Sequence, residues 1–311
     1  MMTRDFACPA CRADLVAISA DEAQCSGCGV RYLRVDRIWR LLAPGRREAL
    51  SAFVEQYETV RQKEGRRVTD PRRLPGLPYR ALSRARAYEW SIRAQSYRAL
   101  IRRVMGPLEK MAPRPVKVLD LGSGLGWLAY RLTVRGHEVA GVDVVVNDFD
   151  GLGVHRHYDR ALLAVQAEFD RLPFRQGSVD VVIYNASFHY SSSYRRTLEE
   201  ALRVLTGAGR LVIMDSPIYS DASSGRTMVR ERDEVFERQY GLRGNLVRTE
   251  GFLTYDRLGA LGADLALRFE LFEPWRGIRW WLKPWSARLL GRREPARFQI
   301  VVGRRAEPPP G

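Results

Sequence analysis

Three glycines and an acid form the pattern with the clearest chemical meaning in this chain. Residues 116–121 form a short apolar run typical of a buried parallel strand, and Gly122, Gly124 and Gly126 follow it. Glycine lets the backbone turn tightly and approach a ligand, and the predicted next helix would direct its N-terminal N–H groups there. A second strand ends at Asp143, about 20 residues beyond the loop, where an acid holds ribose hydroxyls. The pattern predicts a nucleotide-binding turn.

The four cysteines form two C-x-x-C pairs near the start of the chain, Cys8 with Cys11 and Cys25 with Cys28. Thiolates at this spacing converge on one tetrahedral Zn²⁺. Two disulfides or a redox pair are the alternatives. A reducing compartment disfavours disulfides, and a redox pair would not need a second pair. We expect a structural zinc, because a site closed by four thiolates leaves no position for a substrate.

Strand and helix patterns alternate from residue 113 onward, which predicts a right-handed parallel α/β sheet. Residues 46–64 and 80–112 have helical periodicity, and the Pro/Gly/Arg-rich residues 65–78 between them are predicted to form an exposed linker or loop. Residues 216–252 follow the fifth strand, beyond the carboxyl end where ligands bind in open sheets. We predict a helical lid over the substrate at residues 219–245, with a surface excursion that does not contact substrate as the alternative.

The glycine loop and its acid resemble those of the class I S-adenosylmethionine-dependent methyltransferases, in particular the type 11 group. Residues 167–174 resemble the family's acid-x-x-x-Leu-Pro-Phe segment, and residues 178–185 resemble its fourth strand. Residues 203–213 are similar to its R-V-L-x-x-G-G-x-L turn, with Ala208 where a glycine is usual. The resemblance implies a Rossmann-like, doubly wound, mostly parallel α/β sheet, here with an N-terminal zinc ribbon and helical insertions.

Changes of pattern divide the chain into three predicted parts. Residues 1–44 are predicted as the zinc ribbon, residues 45–112 as a helical spacer and residues 113–305 as the methyltransferase domain. Residues 216–252 are the lid insertion of that domain. The proline-rich residues 306–311 are predicted to be a disordered tail.

The resemblance implies a set of residues that hold S-adenosylmethionine. The family's glycine loop runs beside the methionine part of the cofactor, Asp120 would brace that loop or reach the cofactor's amino group through water, and Asp143 would accept from both ribose hydroxyls. Glu168, with Asp170 as the alternative, would meet the adenine amino group, and Phe169 would bond adenine through its backbone N–H. The residues expected along the cofactor are Asp120, Gly122, Ser123, Gly124, Gly126, Asp143, Glu168, Phe169 and Asn185.

A sulfonium methyl is already activated, so its in-line transfer needs chiefly alignment and exclusion of water. A base is needed only when the acceptor carries a proton of high pKa. His189, just after the fourth strand, is the candidate base, and Tyr190 is a second candidate. Asn185 would face the transferred methyl, His155 could also reach the pocket, and Asp215 would shape it.

Three functions stay open for this chain. The first is methyl transfer to a small-molecule, lipid-linked or natural-product acceptor. The second is methylation of an rRNA or tRNA base, because a zinc ribbon before this domain resembles bacterial ribosomal-RNA guanine methyltransferases, whose ribbon helps to hold RNA. The third is a non-catalytic partner subunit, against which the intact glycine loop and Asp143 argue.

The net charge of +15 invites a nucleic-acid or membrane partner, but only four of the 51 basic residues are lysine. We interpret this arginine bias as compatible with a G+C-rich genome. The stretch from Trp275 to Trp285, followed by Arg288, Arg292 and Arg293, suits peripheral membrane contact, with a packed helical excursion as the alternative. The start of the chain has no apolar leader, so a cytoplasmic location is expected. Oligomeric state is not predicted.

Overall fold

The structure, a computed structural model, describes residues 2–111, 114–241 and 249–306. Residues 242–248 of the predicted lid and residues 307–311 of the predicted tail lie outside this range. The first four strands are β1 (Leu15–Ala17), β2 (Glu22–Cys25), β3 (Arg31–Val35) and β4 (Ile38–Arg40). The later strands are β5 (Lys117–Leu121), β6 (Glu138–Asp143), β7 (Leu163–Gln166), β8 (Val179–Asn185), β9 (Leu205–Met214), β10 (Ile218–Tyr219), β11 (Leu253–Thr254), β12 (Leu267–Phe272) and β13 (Ile300–Arg305).

Eleven of these strands form one sheet, in the order β1-β2-β3-β4-β7-β6-β5-β8-β9-β13-β12. Within this order, the six neighbouring strands from β4 through β7, β6, β5 and β8 to β9 are parallel to one another. At the far edge, β13 pairs antiparallel with β9, and β12 pairs antiparallel with β13. Neighbouring residues of β8 enter different cores, with Val181 on one face and Val182 on the other. A sheet covered on both faces explains the continuous apolar runs. The predicted mostly parallel α/β fold is confirmed.

The cysteine-bearing segment is an extension of this sheet. β4 pairs in parallel with β7, with Ile38 opposite Ala164. Phe6 bridges to Phe174, and the two rings pack 5.5 Å apart between centroids. Residues 1–44, predicted as a ribbon of their own, therefore share both the hydrogen-bonded edge and the core of the large sheet.

The helices pack around the sheet, and α1 contains no buried residue. It spans Arg46–Lys63, close to the predicted residues 46–64. α2 (Ala87–Leu100) continues through a π-helical turn into α3 (Gly106–Met111). The remaining helices are α4 (Trp127–Val134), α5 (Tyr194–Val204), α6 (Ala222–Tyr240), α7 (Tyr255–Asp264), α8 (Ile278–Trp281) and α9 (Lys283–Leu289).

The segment 65–78, predicted as an exposed linker or loop, is partly buried. Leu74 and Leu77 have no exposed area, and they join the core that also holds Trp127. Arg131 donates hydrogen bonds to the carbonyls of Leu77 and Pro75 at 2.5 and 2.9 Å. The predicted exposure is wrong for these leucines, because glycine and proline content indicates turns but carries no information about the burial of the apolar residues between them.

No helix in the described parts of the chain combines the length and the apolar character needed to cross a bilayer.

Candidate active site

The candidate site lies where four parallel strands end. Gly122 follows β5, Asp143 ends β6, Asn185 ends β8 and Asp215 follows β9. Ligands bind at this edge in open α/β sheets. Two residues without the freedom of glycine have positive φ angles here, since Ala186 and Asp215 both have φ of 54°. Backbone strain of this kind concentrates at functional sites.

The glycine loop is held against β6 by the predicted ribose acid. One carboxylate oxygen of Asp143 accepts from the N–H of Gly124 at 2.9 Å, and the other accepts from Val145 at 2.9 Å. Burial raises the pKa of Asp143, and these two donors act in the opposite direction. Gly122 has φ of 71°, and a β-carbon there would lie 2.3 Å from that of Ser187. The loop therefore requires glycine at this position.

Asp120 braces the loop from behind. A single oxygen of its buried carboxylate accepts from the hydroxyl of Ser123 at 3.1 Å and from the N–H of Ala129 at 3.2 Å. Burial raises the pKa of Asp120 to about 7. Of the two roles expected for Asp120, the structure shows the contacts that brace the loop.

His155 also lies behind the loop and not in the pocket, contrary to expectation. Its Nε2 lies 3.0 Å from the carbonyl oxygen of Gly124, and burial lowers its pKa to about 4. Gly126 packs against this imidazole, because a β-carbon on Gly126 would lie 2.5 Å from Nε2. Gly126 is thus required by the histidine and by its own φ of 75°, and it lines neither cavity described below.

Two adjoining cavities open at the strand ends. The first, which we call the strand-end cavity, has a volume of about 240 Å³ and is lined by Glu168, Phe169 and Asp170 among others. The second, the arginine cavity, has a volume of about 550 Å³. The residues that line both are Tyr57, Gly122, Asp143, Ala186 and Tyr190.

In the strand-end cavity, Glu168 already has a partner. Its carboxylate receives two hydrogen bonds from the guanidinium of Arg46, at 2.9 and 2.6 Å. Asp170 lines the same cavity, and burial with the neighbouring charge of Glu168 raises its pKa. Both acids suggested for the adenine amino group are therefore at the cavity, and Glu168 is the one engaged by α1.

Helix α1 spans the mouth of both cavities. Arg46 at its first turn pairs with Glu168, and Arg61 at its last turn pairs with Asp150, with one bond of 2.9 Å. Between them, the rings of Tyr57 and Tyr190 meet edge to face at 6.2 Å. Because α1 buries no residue, these polar contacts carry much of its attachment to the site.

The arginine cavity takes its name from Arg61, Arg66, Arg67, Arg86 and Arg93 on its wall. Glu89 accepts hydrogen bonds from Arg66, Arg86 and Arg93 at 2.9, 3.0 and 3.0 Å. Burial would raise the pKa of Glu89, but the three guanidinium charges lower it to about 2. Five arginines and four carboxylates line this cavity, the acids being Glu89, Asp143, Asp150 and Asp215, so the basic groups exceed the acidic ones by one. This excess favours an anionic ligand.

A buried polar group adjoins the same cavity. Asp215 accepts from the hydroxyl of Ser96 at 2.6 Å and lies 3.4 Å from the guanidinium of Arg276. Burial raises the pKa of Asp215. One carboxylate oxygen of Asp215 and the Nε and Nη1 of Arg276 have no hydrogen-bond partner among the described residues.

Tyr190 lines both cavities, and the neighbouring His189 lines the arginine cavity. Nδ1 of His189 lies 3.3 Å from the hydroxyl of Ser216. Burial lowers the pKa of His189 to about 4, and the charge of Arg232 acts in the same direction, so the imidazole is neutral at pH 7. The side-chain oxygen of Asn185 is buried, and no described residue forms a hydrogen bond with it, while Asn185 lines the arginine cavity. These are the polar groups available to a ligand at this point.

The cysteine cluster is remote from this chemistry. Sγ atoms of Cys8, Cys11, Cys25 and Cys28 all lie within 4.8 Å of one another, and none is in a disulfide. A tetrahedral site with Zn–S bonds of about 2.3 Å has S–S edges of about 3.8 Å. The N–H groups of Gly27 and Cys28 point at Sγ of Cys25, at 3.3 and 3.4 Å. The donor set fits a structural Zn²⁺.

Sequence reasoning missed the residues that α1 and its neighbours bring to the site. Arg46, Arg61 and Arg93 lie in segments predicted as a helical spacer, and Arg66 and Arg67 lie in the predicted linker. The sequence feature that could have indicated these residues is the density of arginine before the first parallel strand.

Comparison with known proteins finds similarity to methyltransferases. Residues 119–213 match the model described as a methyltransferase domain. An uncharacterized methyltransferase of Mycobacterium bovis is 32% identical over 142 residues, 45% of this chain and 55% of that protein. A demethylmenaquinone methyltransferase of Thermus thermophilus is 34% identical over 109 residues, 33% of this chain and 48% of that protein. A malonyl-[acyl-carrier protein] O-methyltransferase of Geobacter sulfurreducens is 25% identical over 190 residues, 60% of this chain and 69% of that protein.

This chain thus spans about half the length of the first of these relatives. The matched residues run from the middle of β5 almost to the end of β9, and so they include the glycine loop, Asp143 and Asn185. Together with the mostly parallel sheet, the match supports a class I methyltransferase domain in this chain.

Proposed function

We propose that the chain transfers a methyl group from S-adenosylmethionine to an anionic small-molecule or lipid-linked acceptor bound in the arginine cavity. The observation that carries the proposal is the junction of the two cavities at Asp143, Ala186 and Tyr190. One cavity has the acids and backbone groups that suit a nucleoside, and the other has the positive charge that suits an anion. The cofactor supplies an activated methyl when bound.

The residues present fit the cofactor in three respects. Asp143 stands at the end of β6 and lines both cavities, the position of a ribose-binding acid. Glu168 and Asp170 offer carboxylates to an adenine amino group. Asn185 has a buried side-chain oxygen that lacks a partner, so a bound donor would satisfy it.

His189 is proposed to accept the acceptor's proton, and α1 is proposed to exclude water. Burial keeps the imidazole of His189 neutral at pH 7, the form that can accept a proton, although the same lowering of its pKa makes it a weaker base. Tyr190 packs 4.4 Å from the ring of His189 and meets Tyr57 of α1. These contacts would orient the imidazole between the two cavities.

The wall of five arginines favours an anion as the acceptor's recognition group. A carboxylate or phosphate can form paired hydrogen bonds with one guanidinium. Two relatives are named for malonyl-[acyl-carrier protein] and for demethylmenaquinone, neither of which is a nucleic acid. A cytoplasmic location and an RNA acceptor stay predictions from the sequence.

The first test is calorimetric titration with S-adenosylmethionine and S-adenosylhomocysteine. We expect Asp143→Ala to weaken binding by ~100-fold or more, because two charge-assisted hydrogen bonds are lost and the glycine loop loses its anchor. Asp148→Ala is the matched control, since Asp148 is an exposed acid that lines neither cavity. Absence of binding by the folded wild-type chain would contradict the proposal.

The acceptor is tested with methyl-labelled cofactor and fractionated cell extract. We expect label in anionic small molecules or lipids, with less in the variant Arg93→Gln. Label confined to RNA would replace the proposed acceptor with the RNA alternative. The structural zinc expected at the four cysteines is tested separately by metal analysis. The wild type should contain one zinc per chain, and Cys25→Ser should lose that zinc.

A further inference from the structure

The segment after β12 exposes an unusual apolar face. Five of its side chains recur at the spacing i, i+3, i+4, i+7 and i+11, which places them on one side of a helix. Between 44% and 88% of each side chain is exposed. These residues, which we call the apolar face, are Ile278, Trp281, Leu282, Trp285 and Leu289.

The helices that carry this face form one rod. The N–H of Leu282 donates to the carbonyl of Ile278 at 2.9 Å, and that of Ser286 donates to Leu282 at 3.0 Å. α8 and α9 therefore continue through residue 282 without a change of direction that would break the face. Trp275 and Leu290, 68% and 63% exposed, extend it at both ends.

Trp280 fixes which side of the rod faces the protein. Its ring lies 6.0 Å from that of Phe298, and the guanidinium of Arg276 lies 5.1 Å from the ring centre. Arg276 is itself buried against Asp215 and Ser96. With Trp280 turned inward, the apolar face points to solvent.

The charge on this segment itself has one sign, although Glu273 just before it lines a groove together with Trp281 and Trp285. Residues 274–293 contain no aspartate or glutamate. Lys283, Arg288 and Arg292 are exposed, and within the described residues no carboxylate forms a salt bridge with them. Arg293 differs from these three residues because it forms a salt bridge with Glu231 at 2.8 Å.

We propose that the apolar face and its basic flank dock on an anionic lipid membrane surface. Tryptophan favours the headgroup boundary, leucine and isoleucine favour the acyl region below it, and lysine and arginine attract anionic lipids. A second copy of the same face would bring like charges together. RNA would use the tryptophans by stacking but would leave Ile278, Leu282 and Leu289 in water.

Docking would place the arginine cavity near the membrane, because Phe298 lines that cavity and contacts Trp280. A lipid-linked anionic acceptor could then enter from the membrane, an extension that rests on the methyl transfer proposed above. Membrane docking itself does not depend on it.

The test is co-sedimentation of the full chain, without cofactor, with vesicles of phosphatidylglycerol and phosphatidylcholine in equal parts, or of phosphatidylcholine alone. We expect binding to the anionic vesicles that weakens with salt. The double variant Trp281→Ser/Trp285→Ser should lower the partition coefficient about tenfold or more. Arg288→Gln/Arg292→Gln should remove most of the preference for anionic vesicles, since each basic residue contributes about a fivefold effect.

Val16→Ser/Ile18→Ser is the matched control, because these side chains of the cysteine-bearing segment are 53% and 55% exposed. It should bind vesicles as the wild type does. The proposal is overturned if the wild type stays in solution, if the control loses binding equally, or if the tryptophan variant loses affinity for single-stranded RNA but not for vesicles. None of these outcomes depends on methyl transfer.

Discussion

The strand-end cavity and the arginine cavity meet at Asp143, yet they are built in different ways. The strand-end cavity is lined by turns that follow β5, β6, β7 and β8 and by residues of α1, while Gly124 and Asn185 line the arginine cavity. The arginine cavity depends on long side chains that arrive from α1, from residues 66–67 and from α2. A site made by strand ends is positioned by the sheet, whereas one made by long side chains depends on how separate segments pack.

This difference separates the ligand binding that many proteins of this fold share from the specificity that belongs to this chain. Open α/β sheets bind ligands at strand ends in many proteins, and function is added by the residues placed around that edge. The matched methyltransferase residues, 119–213, include the strand-end turns but none of the five arginines. We therefore expect changes to the two cavities to have separable effects on cofactor and acceptor.

The largest effect is expected at Gly122. Gly122→Ala would force alanine into a φ of 71° and place its β-carbon 2.3 Å from that of Ser187, so cofactor affinity should fall by ~100-fold or more. Gly177→Ala is the control, with a φ of 63° and no atom within 4 Å of the added carbon. Titration calorimetry with S-adenosylhomocysteine measures both. Equal losses in the two variants would contradict a specific role for the loop.

His189, which lines the arginine cavity beside Tyr190, comes next. If it accepts a proton from the acceptor, His189→Gln should lower kcat by ~100-fold while leaving cofactor affinity unchanged. The wild-type rate should be flat with pH from 6 to 8 and fall as pH approaches about 4, where His189 becomes protonated. Single-turnover kinetics provides the measurement. A loss smaller than about tenfold would indicate a nucleophile that is already anionic.

A smaller and more selective effect is expected at Arg93. Arg93→Gln should raise KM for the anionic acceptor about 30-fold, because one charge-assisted pair is lost, and should leave cofactor binding unchanged. Arg98→Gln is the control on the same helix, since Arg98 is exposed and stacks on Tyr79 instead of lining the cavity. Loss of cofactor binding in Arg93→Gln would show that the cavities are coupled.

The smallest effect concerns the support behind the glycine loop. Burial lowers the pKa of His155 to about 4, below the ordinary value of 6.5, so the unfolded chain binds a proton more readily than the folded one. Stability from this group is complete above pH 6.5 and is lost as pH falls toward 4. At pH 5.5 the loss should be about 1.4 kcal/mol.

Urea unfolding at pH 7.5 and 5.5 measures this change. His155→Gln should flatten the dependence on pH, whereas His157→Gln, at an exposed position two residues away, should leave it as in the wild type. An unchanged slope in His155→Gln would assign the pH dependence to other groups.

Short-range patterns were sufficient for much of the fold and part of the site. The apolar run before Gly122, the acid at Asp143 and the spacing of the cysteines are all local, and the structure brings each set together as expected. The bounds of α1 were close because helical periodicity is also a local property. The parallel direction of the central strands followed from their alternation with helices.

Contacts between distant residues decided the rest. Arg46 and Glu168 are 122 residues apart, Ser96 and Asp215 are 119 apart, and Arg61 and Asp150 are 89 apart. Periodicity within a segment carries no information about its partner in another segment. Burial of Leu74 and Leu77 and the solvent-facing side of residues 278–289 depend in the same way on which neighbours arrive.

Local sequence alone was therefore enough to predict two features, the turn that suits a nucleotide and the four thiols that suit zinc. Both depend on the geometry of residues that are close in the chain. The continuous sheet through β4 and β7, the placement of α1 across the cavities and the gathering of five arginines on one wall belong to the folded chain. Their cause is tertiary packing, in which the free energy of each contact depends on surfaces that come from separate parts of the chain.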